Sequence, residues 1–316
     1  MDLAITARVV SRRQLVPGQV VELVLAPHGA DPLPDWEPGA HIDVILPSGL
    51  IRQYSLCGRR DSGQYTVAVL REPESRGGST EIHESVQVGD ELMLRGPRNH
   101  FRFVDAPTAV FIAGGIGITP LIPMIWHCSE AGIEWHLHYG GRSRASMAYV
   151  EDLQDIPGGS VTTYAQDEVG LIPLSTILAD APRDAVVYAC GPEPLLTALE
   201  AEGGRAGVAI HLERFGPSQA SASSSSEDTE FTVTLQRSAR SLPVPVGARL
   251  IDVVREVLPM VPFSCEEGYC GSCETVVLEG IPDHRDSVLD DQERAANNCM
   301  MICVGRSKTP SLVLDL

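Results

Sequence analysis

The sequence predicts three domains of different fold class in one chain of 316 residues. Short alternating strands fill residues 1–104, strands alternate with helices over residues 105–216, and residues 230–316 form a shorter segment that carries most of the cysteines. A serine-rich stretch, residues 217–229, separates the last two regions. We therefore expect an antiparallel β-barrel, a parallel-sheet α/β domain and an α+β domain, in that order along the chain.

The barrel is predicted by short apolar stretches that are separated by turn residues. Pro17-Gly18 and Pro38-Gly39 are two of these turns. Several short strands at this spacing are typical of a small antiparallel barrel. The predicted strands are Ala7–Val10, Val20–Leu25, His41–Leu46, Tyr65–Leu70 and Glu91–Leu94.

The α/β domain is predicted because apolar strands and helical stretches take turns along the chain. This alternation indicates a parallel sheet covered by helices. The predicted strands are Ala109–Ala113, Glu134–Tyr139, Ala185–Ala189 and Val208–Leu212, and the predicted helices are Pro120–Glu130 and Glu193–Glu202.

Composition excludes several classes of protein. Residues 217–229 are of low complexity and favour a flexible linker. The net charge of −18 argues against binding to nucleic acid or to an anionic membrane surface. The uncharged segment from Ala109 to Trp126 contains glycines and prolines, so we expect a buried strand and loop there and no membrane span. The first residues lack the apolar core of a signal peptide, which favours the cytoplasm.

A cysteine motif dominates the third domain. Cys265, Cys270 and Cys273 follow the spacing C-x4-C-x2-C, and Cys303 lies thirty positions further on. Four thiolates in this arrangement are the pattern of a plant-type [2Fe-2S] cluster. A zinc site is the alternative, because Cys299 and Cys303 form a C-x3-C pair.

The fourth ligand of the cluster is Cys303 or Cys299. Cys303 lies in the apolar run Met-Ile-Cys-Val, which we expect to end a strand. Cys299 lies in Asn297-Asn298-Cys299, which we expect to form a polar turn. We prefer Cys303. Cys57 and Cys128 are expected to be structural.

Two elements of the barrel suit an anionic, aromatic ligand. Arg52, Tyr54 and Ser55 offer a permanent charge, a flat ring and a hydroxyl group. The loop that follows Arg71 contains Gly77-Gly78-Ser79-Thr80 before an expected helix, and its backbone N–H groups form an anion site. Each element alone also fits an ordinary strand edge or surface loop.

Two loops of the α/β domain suit a dinucleotide. Gly114, Gly115 and Gly117 follow a strand and precede a helix, where a pyrophosphate is expected. The spacing is not G-x-G-x-x-G, so the usual fingerprint is absent. Cys190-Gly191-Pro192 ends a second strand, and the two loops together predict a nicotinamide site. Cys190 alone also fits a small residue that fills a strand end.

The four motifs together resemble the phthalate dioxygenase reductase family over the whole chain, in the order flavin barrel, nicotinamide domain and β-grasp ferredoxin domain. The resemblance implies FMN rather than FAD. It also implies that Thr119 reaches the flavin and that Phe215, in Glu213-Arg214-Phe215, lies near the flavin ring. The further residues implied to hold FMN are Arg52, Tyr54, Ser55, Gly77, Gly78 and Ser79, with Leu70 and Arg71 as neighbours.

The same resemblance implies a set of nicotinamide residues. Arg142-Ser143-Arg144 lies where the adenosine ribose is read. Two arginines favour the 2′-phosphate of NADPH, but the family mostly uses NADH and this domain is the most acidic of the three, so we expect NADH. The remaining residues implied are Gly114, Gly115, Gly117, Cys190, Gly191 and Pro192.

The expected function is the reductase component of a multicomponent oxygenase. NADH gives hydride to FMN, and single electrons pass through [2Fe-2S] to a Rieske-type terminal oxygenase or demethylase. Thr119 and Cys190 are expected to shape the geometry of hydride transfer. The alternatives are the same electron path to a cytochrome P450, and a non-redox module that binds zinc. Family members are often monomers, so the resemblance implies a monomer.

Overall fold

A computed structural model describes residues 4–72, 77–216 and 228–316. Contacts along the chain divide it into two compact units, one that ends at Glu213 and one that begins at Arg214. Most of the predicted linker, residues 217–227, lies outside the described residues.

The first part of the first unit is an antiparallel sheet. Its described elements are β1 (Ile5–Val16), β2 (Val20–Pro27), β3 (His41–Ile45), β4 (Ile51–Ser55), β5 (Tyr65–Leu70), helix α1 (Gly78–Ser85) and β6 (Glu91–Arg98). The strand order is β4-β3-β6-β1-β2-β5. A bridge between Leu56 and Val67 joins the two edges of the sheet, next to β4 and within β5. The predicted antiparallel barrel is confirmed.

The second part of the first unit is a parallel sheet with helices. Its described elements are β7 (Thr108–Gly114), α2 (Leu121–Ala131), β8 (Glu134–Gly141), α3 (Val150–Gln154), β9 (Gly159–Ala165), α4 (Gln166–Val169), α5 (Leu174–Asp180), β10 (Ala185–Cys190), α6 (Glu193–Ala206) and β11 (Ile210–Glu213). The strand order is β11-β10-β7-β8-β9, and every neighbouring pair is parallel. The predicted α/β domain is confirmed, and the loops at the carboxyl ends of β7, β8 and β10 come to one edge.

The barrel and the α/β domain share part of their hydrophobic core. Val16, Val20 and Phe101 of the barrel region belong to the same buried cluster as Phe111 and Trp135 of the parallel sheet. These two regions therefore form one compact unit and are stabilised together.

The second unit is a mixed sheet with a packed helix. Its described elements are β12 (Phe231–Leu235), β13 (Arg240–Val244), α7 (Leu250–Val257), β14 (Glu274–Glu279), β15 (Pro282–Asp283), α8 (Asp291–Ala296), β16 (Cys299–Met301), β17 (Arg306–Ser307) and β18 (Ser311–Leu314). The main sheet has the order β13-β12-β18-β14-β16, and only β12 and β18 are parallel among the pairs described. Helix α7 buries Leu250, Ile251 and Val254 in the core of this unit. The predicted α+β domain is confirmed.

Two residues of the predicted linker bind to the second unit. Asp228 accepts a hydrogen bond from Arg285 at 2.6 Å and forms an ion pair with the buried Arg306 at 3.6 Å. Arg306 also donates to the carbonyl oxygen of Thr229 at 2.9 Å. Asp228 and Thr229 are therefore held by contacts within the second unit. Within the described part of the chain, no helix is long and apolar enough to cross a membrane.

Candidate functional site

The four cysteines of the predicted cluster motif lie in the second unit and are all buried. Cys265 and Cys270 lie in the loop between α7 and β14, and Cys273 directly precedes β14. The prediction that Cys303 ends a strand is wrong, because strand β16 stops at Met301 and Cys303 lies in the following turn.

The register of two strands explains why Cys273 and Cys303 meet. Strands β14 and β16 are antiparallel, with Glu274 opposite Met301. The start of one strand therefore lies beside the end of the other. The residue before Glu274 and the turn after Met301 come together at this end of the sheet.

The four sulfur atoms form a continuous chain of contacts. Cys265 interacts with Cys270 and Cys303, and Cys303 interacts in turn with Cys273. The contact with Cys265, together with burial, raises the pKa of the Cys270 thiol far above its ordinary value. The contact with Cys265 lowers the pKa of Cys303, but the contact with Cys273 and burial raise it, and the net pKa is raised. Iron binds thiolates, so metal binding would remove the protons of these crowded thiols.

This donor set fits a two-iron cluster. The four donors are all thiols, and their sulfur atoms lie in a chain of contacts. Four thiolates of this kind would hold a plant-type [2Fe-2S] core.

The loop around the thiols requires glycine at Gly268. Its φ is +75°, and a Cβ atom there would lie 2.7 Å from Cγ2 of Val304. The carbonyl oxygen of Gly268 accepts a hydrogen bond from the N–H of Ser287 at 2.8 Å. Asp286, which precedes Ser287, accepts a hydrogen bond from the N–H of Leu289 at 2.9 Å. This neighbouring segment therefore fixes the cysteine loop from one side.

Cys299 lies apart from the four sulfur atoms. It opens β16 opposite Val276, so the prediction of a turn at Cys299 is wrong. Burial and the neighbouring Glu274 carboxylate raise the pKa of Cys299 to about 12. The structure thus brings Cys303, and not Cys299, to the other three cysteines.

In the barrel, Arg52 lies against the amino terminus of helix α1. Arg52, Tyr54 and Ser55 all lie on strand β4, and Gly77 is the N-cap of α1. A Cβ atom at Gly78 would lie 2.4 Å from Nε of Arg52, so a side chain there would displace the arginine. A guanidinium group beside the amino terminus of a helix suits a phosphate.

The neighbouring predicted residues have structural partners. Ser79 Oγ accepts a hydrogen bond from the N–H of Glu72 at 3.1 Å. Leu70 ends strand β5, and the Arg71 side chain that follows forms an ion pair with Glu84. Leu70 and Arg71 therefore lie just before the loop that leads to α1, and Ser79 lies in the first turn of α1, beside the anion site. Residues 73–76 of this loop lie outside the described residues.

The two predicted nucleotide loops touch each other. A Cβ atom at Gly117 would lie 2.3 Å from the carbonyl oxygen of Cys190, and one at Gly114 would lie 2.6 Å from Cδ of Pro192. Gly191 is equally tight, because its Cβ would lie 3.0 Å from Cα of Gly114. The loops after β7 and β10 therefore form one surface, as predicted for neighbouring parallel strands. Gly115, in contrast, faces open space.

Thr119 lies where the first of these loops enters α2. It is buried, and its hydroxyl group donates to the carbonyl oxygen of Ile116 at 3.0 Å. The hydroxyl oxygen keeps its lone pairs for another donor.

Glu213 is a residue of this site that the sequence reasoning missed. It lies beside Cys190 in the register of β10 and β11, and it is hydrogen-bonded to Ser55 of the barrel. The residue as a whole is half-buried, but its Oε2 atom is inaccessible to solvent and has no partner among the described residues. Burial raises the pKa of Glu213 to about 8, against the effect of the Ser55 hydrogen bond. Burial and the Glu213 charge raise the pKa of Cys190 well above its ordinary value.

Arg142, Ser143 and Arg144 follow strand β8 at the same edge of the sheet. Ser143 caps a short 3₁₀ turn that begins at Arg144. Arg144 Nε lies 3.1 Å from Oε2 of Glu168 in α4. The carbonyl oxygen of Arg142 accepts a hydrogen bond from the N–H of Asp167. The two arginines therefore lie next to two acidic residues, Asp167 and Glu168.

Phe215, the last of the predicted flavin residues, belongs to the second unit. Its ring is 41% exposed. No local sequence signal marks Glu213, because its position beside Cys190 and its hydrogen bond to Ser55 arise from long-range packing.

Comparisons with known proteins agree with this architecture. Residues 233–308 match the 2Fe-2S iron-sulfur cluster binding domain family, and residues 111–201 match the oxidoreductase NAD-binding domain family. The chain is 44% identical over 289 residues to phenoxybenzoate dioxygenase subunit beta of Ectopseudomonas oleovorans, which covers 90% of this chain and 89% of that protein.

Two solved structures are similar over 99% of this chain. The structure of phthalate dioxygenase reductase has a TM-score of 0.69 and 32% identity, with 98% of that chain covered. A type IV self-sufficient cytochrome P450 monooxygenase has a TM-score of 0.91 and 40% identity, but this chain spans only 41% of it.

The fold and the matched domains define an oxidoreductase that joins a flavin-type barrel, a nicotinamide-binding domain and a [2Fe-2S] domain. The chain belongs to the phthalate dioxygenase reductase family.

Proposed function

We propose that this chain is the reductase component of a multicomponent oxygenase, and that it transfers electrons from NADH through FMN and [2Fe-2S] to a Rieske-type terminal oxygenase. The observation that carries the proposal is the contact between the two candidate sites of the first unit. Ser55 of the barrel is hydrogen-bonded to Glu213, which lies beside Cys190 of the nucleotide loops. A ring bound at the barrel site would thus lie close to a nicotinamide bound at the loops.

The chain's own residues bind and orient the reactants. When bound, a flavin accepts hydride and releases electrons singly, and a [2Fe-2S] cluster of the plant type carries them near roughly −400 mV. Arg52 and the amino terminus of α1 would bind the phosphate, and the shared surface of Gly114, Gly117 and Gly191 would admit the pyrophosphate. Thr119 and Cys190 would border a bound nicotinamide and restrict its approach. The thiols of Cys265, Cys270, Cys273 and Cys303 would hold the cluster.

FMN rather than FAD is proposed for the flavin. The anion site at Arg52 and Gly78 is compact, and a single terminal phosphate satisfies it. The family resemblance points the same way.

We also propose that the barrel, residues 1–104, and the nicotinamide domain, residues 105–216, bind their cofactors as separate domains, with the ferredoxin domain at residues 230–316. The protein is proposed to act as a monomer.

NADH is proposed as the electron donor because of Glu168. A 2′-phosphate at Arg144 would have to displace the Glu168 carboxylate and would meet its negative charge, whereas a ribose 2′-hydroxyl would not. We expect Glu168→Gln to shift the ratio of kcat/KM for NADH to that for NADPH toward NADPH by about threefold, as suits an exposed pair. Steady-state reduction of an artificial acceptor with each nucleotide measures this ratio.

The control variant is Glu134→Gln. Glu134 is an exposed acid at the opposite end of β8, so its loss changes the net charge equally. An equal shift in both variants would assign the effect to overall charge and contradict a role for Glu168.

A cytochrome P450 is the second candidate partner. The observation that favours it is the similarity of this chain, at 40% identity, to part of a self-sufficient cytochrome P450 monooxygenase. Mixing the reduced protein with a Rieske-type oxygenase and, separately, with a P450 encoded nearby discriminates the two. The partner is the protein that is reduced at a rate comparable with turnover.

The proposed electron path is tested by an anaerobic absorption spectrum before and after one equivalent of NADH. Flavin and iron–sulfur bands that both bleach support the path. Chromatography of the released flavin distinguishes FMN from FAD, and iron and acid-labile sulfide are counted per chain. Flavin bands that do not bleach with NADH would overturn the proposal.

A further inference from the structure

We propose that Tyr149 is a positioning residue for hydride transfer, because its hydroxyl group fixes the nucleotide-binding segment of the α/β domain on the barrel. The inference rests on the proposed function, in which NADH reduces a flavin held by the barrel.

The Tyr149 hydroxyl group crosses from one domain to the other. It donates a hydrogen bond of 2.7 Å to Oε2 of Glu22 on strand β2, and it lies 3.6 Å from Sγ of Cys57. Burial, followed by the neighbouring Cys57 and Glu22, raises the pKa of Tyr149 well above its ordinary value. The group therefore remains a hydrogen-bond donor at every working pH.

The acceptor is itself held in place. Arg13 on strand β1 binds Glu22, with 3.1 Å between Nε and Oε1. The same guanidinium group lies 3.6 Å from Asp152 in helix α3, which directly follows Tyr149. A charged hydrogen bond with a fixed acceptor is stronger than one between neutral groups.

The backbone at Tyr149 is strained, and its surroundings maintain the strain. Its φ is +63° and its ψ is +9°, a left-handed conformation that bulky residues rarely adopt. Such a conformation costs of order 1–3 kcal/mol and persists only where contacts determine it. This backbone conformation orients the Tyr149 ring toward Glu22 on strand β2.

The hydrogen bond restrains the ring in addition to packing. The ring packs against the buried cluster that the two domains share. A pocket of about 200 Å³ also lies beside it, lined by residues that include Cys57, Trp126 and Leu153. The same space means that loss of the hydroxyl group leaves no steric conflict.

The two ends of the connection adjoin the two candidate sites. Cys57 lies two residues after Ser55 on the chain that carries the flavin residues of β4. Tyr149 lies five residues after Arg144, in the segment that follows β8 and carries the ribose-binding residues. Loss of the connection would let the nucleotide segment shift against the barrel. A misplacement of about 1 Å in such a reaction costs up to about a hundredfold in rate.

The test is anaerobic stopped-flow reduction of the flavin in the complete holoprotein by NADH. We expect Tyr149→Phe to lower the limiting rate of flavin bleaching about tenfold, while the Kd for NADH and the flavin and iron contents remain those of the wild type. NADH deuterated at C4 should show that the observed step includes hydride transfer. Glu22→Gln keeps an acceptor and should lower the rate less, and the double variant should match Tyr149→Phe alone.

Tyr164→Phe is the matched control. Its hydroxyl group lies 3.1 Å from Nδ1 of His138 on the neighbouring strand, so the lost contact stays within the α/β domain. Its limiting rate should equal that of the wild type. An unchanged rate in Tyr149→Phe, or an equal loss in both variants, would overturn the inference. Wild-type flavin that NADH does not reduce would instead overturn the proposed function.

Discussion

At the scale of single residues, Glu213 joins two parts of the candidate site. Its carboxyl group is hydrogen-bonded to Ser55, and its Oε2 atom is buried without a partner among the described residues. A buried carboxyl group without a cation favours the protonated form. Burial therefore favours a protonated Glu213 carboxyl group between the barrel and the nucleotide loops.

The raised pKa of Glu213 predicts a specific dependence of stability on pH. The pKa is about 8 in the folded protein and about 4.5 in the unfolded chain. Between these values the folded state binds the extra proton, so the free energy of unfolding falls as pH rises from about 4.5 through 8. Below 4.5 this contribution is fully present. We expect Glu213→Gln to remove this part of the slope, as measured by urea unfolding at pH 6 and pH 9.

The comparison is internal, because every other titrating group is shared by the two proteins. At pH 9 the free energy of unfolding of Glu213→Gln should exceed that of the wild type by an amount of order 2 kcal/mol. The same pH dependence in both proteins would show that Glu213 is already ionised at neutral pH.

Glu213 also shows what a sequence withholds at this scale. Cysteine thiolates are metal ligands by their own chemistry, so the role of the cysteine motif can be predicted from its spacing. The role of Glu213 depends on burial and on Ser55, which lies more than 150 positions away. A contact of that range is set by the packing of two domains, and no local pattern encodes it.

At the scale of elements, strands with an apolar pattern were predictable, and two strands rich in polar residues were not. Strand β5 has the predicted bounds, Tyr65–Leu70, and helix α2 is shifted by one residue from the prediction. Strands β4 and β9 were not predicted as strands. Strand β4 carries the polar residues Arg52, Gln53 and Ser55, so it lacks the alternation of apolar and polar residues that predicts a strand. The predicted positions of two cysteines were reversed, because Cys299 lies in the strand and Cys303 lies in the turn after it.

The register of β14 and β16 predicts which cysteine completes the cluster. Cys303 lies with Cys265 and Cys273, whereas Cys299 pairs with Val276 further along the strand. We expect Cys303→Ser to lose most of its iron and acid-labile sulfide and its visible iron–sulfur bands. Cys299→Ser should keep both.

The second variant is a close control, because it replaces the same sulfur atom only four positions earlier in the chain, in the strand that precedes the turn of Cys303. Loss of the cluster in Cys299→Ser with retention in Cys303→Ser would reverse the ligand assignment. Flavin reduction by NADH should survive in both variants, since these cysteines lie in the second unit.

At the scale of the whole molecule, one hydrophobic core crosses from the barrel into the α/β domain, while each of these domains also has a buried cluster of its own. Among the described residues, the core of the second unit is built from Phe231 onward. In the first unit, barrel residues such as Val16 and Phe101 pack in one cluster with residues of the parallel sheet. Burial of a large apolar side chain contributes about 1.5–3 kcal/mol. A few such side chains amount to a large fraction of the roughly 5–15 kcal/mol that stabilises a domain.

This distribution predicts where the chain can be divided. A fragment of residues 1–216 and a fragment of residues 228–316 should each unfold cooperatively. The first should bind flavin that NADH reduces, and the second should hold the cluster, because Asp228 keeps its contacts with Arg285 and Arg306. Fragments of residues 1–104 and 105–216 should each be less stable than the joined unit, because each keeps a buried cluster of its own but exposes its part of the shared core. Thermal unfolding followed by circular dichroism, with flavin and iron content, measures all four. A barrel fragment that unfolds at the same temperature as the joined unit would show that the shared core contributes little to stability.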